Sequence, residues 1–279
     1  MNLTFFVLLF FLISLGTLLL FILRYFRSKW KPTVFMALLF FLFLAVFFRN
    51  EIKYSLPIQK LMIVFNQWTH YSAADLKESV LLDAPLISQL PELPRGCEVT
   101  SLAMLLQSAG VAVDKMVLAK EVKKNPATYR VENGEIFFGD PENGFVGDMY
   151  SSSNPGLGVY HKPILELANR YLPKKMKALD LTGTDFEELK VHLSDGRPVW
   201  VIVNTSYDKL PDSAFQTWNT ESGKIKVTYK EHSVLLTGYD GEYVYFNDPL
   251  TNQKNKKAPI DSFEKAWVQM GRQAITYLP

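Results

Sequence analysis

Three side chains have the types and order needed for nucleophilic hydrolysis: Cys97, the only cysteine in the chain, then His232, then Asp248. A thiol of ordinary pKa, about 8.5, is mostly protonated at neutral pH and attacks weakly. A helix N-terminus favours its thiolate through the peptide dipoles. A histidine can hold that thiolate as an ion pair and later protonate a leaving group. A carboxylate bonded to the imidazole fixes its tautomer and orientation. Gln89, eight residues before Cys97, has a side-chain amide suited to a developing oxyanion, alongside the Cys97 backbone N–H. One such donor is worth roughly 3–4 kcal/mol of barrier. The competing reading is an inert core cysteine, since free cysteine is among the most buried residue types.

The surrounding elements decide whether these groups meet. Cys97–Ser108 carries Val99, Leu102, Ala103, Leu105 and Leu106 on one face and stops at Gly110, which predicts a helix starting at the thiol. Further helices are expected over Asp114–Lys124, Pro163–Tyr171, Asp185–Leu193 and Asp261–Met270. Pro198–Val203 is apolar throughout and predicts a strand buried on both faces. Further strands are expected at Lys224–Tyr229, His232–Tyr239, Tyr243–Asn247 and Ala274–Leu278. A helical half packed on an antiparallel sheet is an α+β layout. Asp240-Gly241 reads as a two-residue hairpin turn between Tyr239 and Glu242. Run back, that register sets His232 opposite Pro249, beside Asp248. A tight hairpin alone therefore brings imidazole and carboxylate within reach.

The first fifty residues read as a membrane anchor. Leu3–Leu23 is an unbroken apolar run long enough to span a bilayer, and Thr33–Phe48 is a second, shorter one. Between them lie Arg24, Arg27, Lys29 and Lys31, a loop the positive-inside rule puts in the cytoplasm. No charge precedes the first run and no small-residue cleavage site ends it, which argues against a signal peptide. The expected organisation is a two-helix transmembrane hairpin over 1–50, a juxtamembrane amphipathic linker over 51–78, and an external catalytic domain over 79–279. Localisation follows: a multi-pass cell-membrane protein with its domain outside. The formal net charge is +2, which leaves no electrostatic footprint for nucleic acid.

Gln89…Gly96-Cys97-Glu98-Val99-Thr100-Ser101-Leu102-Ala103-Met104, Gly144-Phe145-Val146-Gly147-Asp148, Gly158-Val159-Tyr160 and His232…Asn247-Asp248-Pro249 resemble the free-standing relatives of the double-glycine leader peptidases, which process bacteriocin precursors. The resemblance covers about Leu82 to Leu278. It implies a papain-like cysteine peptidase fold, with Cys97, His232 and Asp248 at the triad positions and Gln89 at the oxyanion-hole position. Gly96 and Glu98 flank the thiol where the exporter-fused enzymes carry Asp and Gly. The Gly- and Pro-rich stretch 133–158 is expected to wall a substrate cleft, with Asp148 and Tyr160 as cleft residues.

The resulting expectation is a cysteine peptidase or amide hydrolase working through an acyl-thioester. Its partners are a peptide or protein substrate at the outer membrane face and the bilayer itself. Glu98 beside the thiol would raise its pKa and motivates the alternative of a catalytically silent peptide-binding module. Acyl transfer to an amine is a third reading. No cofactor is expected. No metal is either, because Asp140, Glu142, Asn143 and Asp148 fail the EF-hand spacing. His161 reads as a helix-start histidine, His192 as a helix-face residue and His70 as juxtamembrane.

Overall fold

The structure, a computed structural model, describes residues 76–279. The expected hairpin at 3–23 and 33–48, nearly all of the 51–78 linker, and His70 lie outside the described residues. Among the described residues no helix is long and apolar enough to cross a membrane.

The chain runs β1 (Val80–Leu81), α1 (Cys97–Ser108), α2 (Lys115–Glu121), β2 (Lys124–Asn125), β3 (Arg130–Glu132), β4 (Glu135–Phe137) and β5 (Phe145–Val146). It continues through α3 (His161–Tyr171), β6 (Lys177–Asp180), α4 (Phe186–Ser194), β7 (Val199–Asn204), β8 (Gln216–Thr220) and β9 (Gly223–Val227). It ends with β10 (Glu231–Tyr239), β11 (Tyr243–Asp248), β12 (Gln253–Pro259), α5 (Ile260–Gln269) and β13 (Ala274–Leu278).

The main sheet has the order β12-β11-β10-β7-β13-β6, with β1 pairing β10. All its ladders are antiparallel. Every residue of β7 and β10 is buried. Alternate side chains of a strand face opposite ways, so a strand apolar on both faces needs cover on both. Trp200, Ile202 and Leu235 therefore pack with Leu102, Leu105, Ile164 and Leu167 of α1 and α3. Val199, Val201, Val203 and Val234 pack with Phe186, Leu189, Phe263 and Trp267 of α4 and α5. The α+β expectation holds, but the sheet lies between two helical layers instead of carrying helices on one side.

α1 is buried along its whole first part, from Cys97 to Leu106, and is not the one-faced amphipathic helix its apolar spacing suggests. Asp114 caps α2 as expected, its carboxylate accepting from the Met116 N–H at 2.7 Å. The 133–158 stretch is less irregular than its composition implies. β4 pairs in parallel with β8 in a second sheet ordered β3-β4-β8-β9, and β5 pairs in parallel with β2. A Gly147–Gly156 bridge closes the loop between them. Phe138, Val146, Leu157, Trp218 and Val227 form a small separate core beneath it.

β1 lies so close to β10 that a Cβ at Gly238 would stand 2.1 Å from the Val80 carbonyl oxygen. Gly238→Ala must therefore push β1 away, at a cost of about 1–3 kcal/mol. The expected result is a clear fall in Tm by calorimetry. Gly241→Ala, whose Cβ would meet nothing within 4 Å, should leave Tm almost unchanged.

Candidate active site

Cys97 is the first residue of α1, entered through a close packing of Gly96 on Leu93: a Cβ at Gly96 would stand 2.6 Å from that of Leu93. The helix start is fastened to the sheet twice. Trp200 Nε1 donates to the Glu98 carbonyl at 3.0 Å, and Ser101 Oγ donates to the Ser233 carbonyl at 3.1 Å. These bonds set the thiol against the first residues of β10.

His232 is the second residue of β10, and Asp248 is the last of β11. Their hairpin differs from the expected one. Asp240 N–H bonds the Tyr243 carbonyl at 2.9 Å, and Asp240 Oδ1 accepts from the N–H groups of Glu242 and Tyr243 at 2.8 and 2.7 Å. The turn therefore closes one residue later than an Asp240-Gly241 turn would. The register then shifts between Leu236 and Gly238, leaving Leu235 opposite Asn247. His232 is carried past the Pro249 level, yet His232 Nε2 and Asp248 Oδ1 are 2.9 Å apart. A bulge re-aims a strand by about one residue, less than two side chains can span.

Asp248 is fully buried and saturated with donors. Besides His232, its Oδ1 accepts from the Leu250 and Thr251 N–H groups at 2.9 and 3.3 Å. Its Oδ2 accepts from Tyr207 Oη at 2.7 Å, Thr251 Oγ1 at 2.6 Å and Lys256 Nζ at 2.8 Å. Burial alone would raise this carboxyl. The bond and charge of His232, with Lys256 and Thr251, outweigh it and hold the group well below the usual carboxylate range. With Nε2 committed to Asp248, Nδ1 is the imidazole atom left for proton transfer.

The thiol itself sits among acids. Its hydrogen bond goes to Glu98 Oε2 at 3.4 Å, not to His232. Burial, then Glu98 and Glu231, push it well above the ordinary thiol range, against a hydrogen bond with the Ser233 backbone. Glu98 is fully buried, its Oε1 accepting from the Val159 N–H at 2.7 Å. Burial lifts its carboxyl from 4.5 to about 7, despite those hydrogen bonds. Glu231 is raised too, first by burial and then by the charge of Glu98. Gly158 makes room for the pair: a Cβ there would stand 2.0 Å from Glu98 Oε1 and 3.0 Å from Glu231 Oε2.

A thiol at a helix start against a strand carrying a carboxylate-bound histidine can be compared with known proteins. The profile of the Peptidase_C39 like family matches residues 81–275. The chain belongs to that family. It is 49% identical over 207 residues to the uncharacterized protein YvpB of Bacillus subtilis (strain 168), spanning 73% of this chain and 78% of that one. The crystal structure of a chain described as a C39-like peptidase from Bacillus anthracis is also 49% identical. It superposes with a TM-score of 0.67 over 73% of this chain and 98% of that one.

Other residues of this C39-like chain fall in and out of the cluster. Gln89 is buried, but its Nε2 donates to the carbonyls of Leu93 and Pro94 at 3.2 and 3.1 Å. Both amide hydrogens thus brace the loop entering Cys97, and Oε1 has no partner among the described residues. Tyr160 lies by the acids, its hydroxyl raised first by burial and then by Glu231. Asp148 organises its own loop: its carboxylate accepts from the Tyr150 N–H at 2.8 Å and Asn154 Nδ2 at 2.6 Å. Arg95, two residues before the thiol, donates from its guanidinium to the carbonyls of Ser151 and Ser152, tying that loop to the entry of α1. His161 opens α3 between Glu142 and Asp180, 3.7 and 3.6 Å away.

Glu231, Tyr207, Thr251 and Lys256 are the residues that sequence reasoning missed, and Gly158 was singled out only as part of a motif, without its role beside the acids. Glu231 adjoined His232 in plain view, but its burial depends on α1 packing over β10. Tyr207 and Lys256 come from loop and edge-strand positions with no motif of their own.

The buried acids give stability a definite pH dependence. A carboxyl with its folded pKa raised contributes fully below its unfolded value and loses that contribution as pH rises through the folded one. For Glu98, a rise from 4.5 to about 7 is of order 3 kcal/mol at 1.4 kcal/mol per unit. Tm should therefore fall between pH 4.5 and 7, and Glu98→Gln should flatten that fall. Asp248 works oppositely, its contribution being lost only in strong acid. A pH series of melting curves for the two proteins checks this.

Proposed function

We propose that this chain is a cysteine peptidase or amide hydrolase with Cys97 as nucleophile, His232 as general base and acid, and Asp248 as the group that orients the imidazole. The single observation that supports it most is the 2.9 Å His232 Nε2–Asp248 Oδ1 bond, made by two strands beside the helix that starts at Cys97. Family membership supports the reaction class.

The thiol gives its proton to His232 Nδ1, and the thiolate attacks the carbonyl carbon of a peptide or amide. The developing oxyanion takes the Cys97 backbone N–H and the Gln89 amide, once substrate draws that amide from the Leu93 and Pro94 carbonyls. The imidazolium protonates the departing amine, leaving an acyl-thioester on Cys97. Water activated by the same imidazole hydrolyses it and restores the thiol. Asp248 stays ionised throughout, as its donors require.

One observation favours a second reading, a silent peptide-binding module of the same fold. The resting thiol is bonded to Glu98 and pushed up by burial and by two carboxyls. Such a thiol is a poor nucleophile until the Glu98 contact is broken. Acyl transfer to an amine is the third outcome, distinguishable by product mass.

The test is hydrolysis of a fluorogenic peptide panel by the full-length chain, with intact mass spectrometry for an acyl adduct. Cys97→Ala should abolish turnover and adduct, and Asp248→Asn should lower kcat by roughly two to four orders of magnitude. Turnover that survives Cys97→Ala rules the mechanism out, and binding without any cleavage supports the silent module.

We further propose that the apolar runs at 3–23 and 33–48 hold the domain on the outer face of a cell membrane, where peptide or protein substrates meet it. Reporter fusions after Ser28 and after Pro279 should then give opposite topologies. The same side for both overturns the hairpin.

A further inference from the structure

Cys97 Sγ and one carboxylate oxygen each of Glu98 and Glu231 lie within 4.8 Å of one another, all on buried residues. Two acids this deep stay neutral unless they are paired or hold a cation, because an isolated buried charge is costly. Yet no ion pair is formed by Glu98 or Glu231 among the described residues. The ammonium of Lys124 reaches Glu98 only through its charge; its hydrogen bond goes to the Ala119 carbonyl at 2.7 Å, and it lies over the Phe145 ring. Glu98 is anchored from behind by the Val159 N–H.

Glu231 carries the decisive observation. It is 9% exposed, and its Oε1 has no hydrogen-bond partner among the described residues. A buried oxygen without a partner in a native core calls for an explanation, an ion being one of the usual ones. The bare Cα of Gly158 keeps the space against both carboxylates open, since any side chain there would run into them.

We infer that Cys97, Glu98 and Glu231 form a site for a borderline or soft divalent cation, Zn²⁺ or Cd²⁺, whose binding takes the thiol out of use as a nucleophile. Thiolate with carboxylate oxygens is a zinc-type donor set, and thiolate preference excludes Mg²⁺ and Ca²⁺ as the main occupants. Bonds of roughly 2.0–2.3 Å need donors roughly 3.3–3.8 Å apart; Cys97 Sγ and Glu98 Oε2 already stand 3.4 Å apart, so the closing movement falls mainly to Glu231. The Cys97 S–H bond breaks and an S–metal bond forms. The thiol proton, with any proton on the carboxyls, passes to the buffer, and no oxidation state changes. This site is distinct from the Cys–His pair that commonly captures metals in thiol enzymes, because its oxygens come from Glu98 and Glu231 and leave His232 on Asp248.

The test is titration of the reduced full-length chain in detergent with Cd²⁺, following the cadmium–thiolate ultraviolet band, and with Zn²⁺ by competition and by proton release. One ion per chain is expected, with the band lost in Cys97→Ser. Glu231→Gln should weaken Cd²⁺ by at least roughly tenfold, while His232→Ala should bind nearly as the wild type does. Equal affinity in Glu231→Gln overturns the site, as does loss of binding in His232→Ala, which would put the ion on the Cys–His pair. If circular dichroism shows Glu231→Gln to be unfolded, Glu98→Gln is read by the same criterion. No substrate is involved, so failure here leaves the peptidase reading intact, and the converse also holds.

Discussion

β10 must be dry on both faces along its length and still deliver polar groups at its N-terminal end. Val234, Leu235 and Leu236 tie it into two helical layers at once, while Glu231, His232 and Ser233 occupy the three preceding positions, also buried. Nothing along the strand offers water as a partner, so each of those polar groups needs a protein partner or stays costly. His232 meets Asp248, and the Ser233 carbonyl meets Ser101. Glu231 faces the Glu98 carboxyl and the Cys97 thiol, and Ser233 Oγ has no partner among the described residues. The site's chemistry is this uneven settlement of three adjacent residues on one fully buried strand.

The settlement divides charge sharply. On one side Asp248 collects donors from a histidine, a lysine, a tyrosine, a threonine and two backbone amides, and stays an anion. On the other, Glu98 and Glu231 press against the thiol with few donors, and both resist ionising. Environments that drive similar carboxyls apart in pKa mark where protons are handled. Lys256 is shared between Asp248 and the Tyr207 ring, at 4.7 Å from its centroid, so the aromatic wall and the anion are held as one unit.

Local signals made much of this legible in the sequence. The apolar run at Val199–Val203 marked a strand buried on both sides, Asp114 marked a helix start, and one hairpin was enough to join His232 to Asp248. Signals failed where tertiary contact overrode them. The second helical layer follows from the two-faced burial of β7, yet nothing in α4 or α5 says which face it covers. The turn after Tyr239 slid by a residue because the Asp240 carboxylate captures two backbone amides, and side-chain capture of that kind competes with ideal turn types. Strands β6, β8 and β12 are polar or short and gain their identity from neighbours. Gln89 shows the limit most plainly: its position in the chain was legible, but the direction of its amide is decided by two loop carbonyls.

Cys97 is the single sulfhydryl among 279 residues, and that solitude has a redox consequence. A sulfenic acid formed on it would find no second thiol in the chain to condense with, so rescue would depend on an outside reductant before oxidation became irreversible. Oxidants act on thiolates that they can reach. A thiol 7% exposed, bonded to a carboxylate and kept protonated by burial and then by its acidic neighbours offers them little on either count. The arrangement that keeps the thiol protonated at rest is also its shield against chemical ageing.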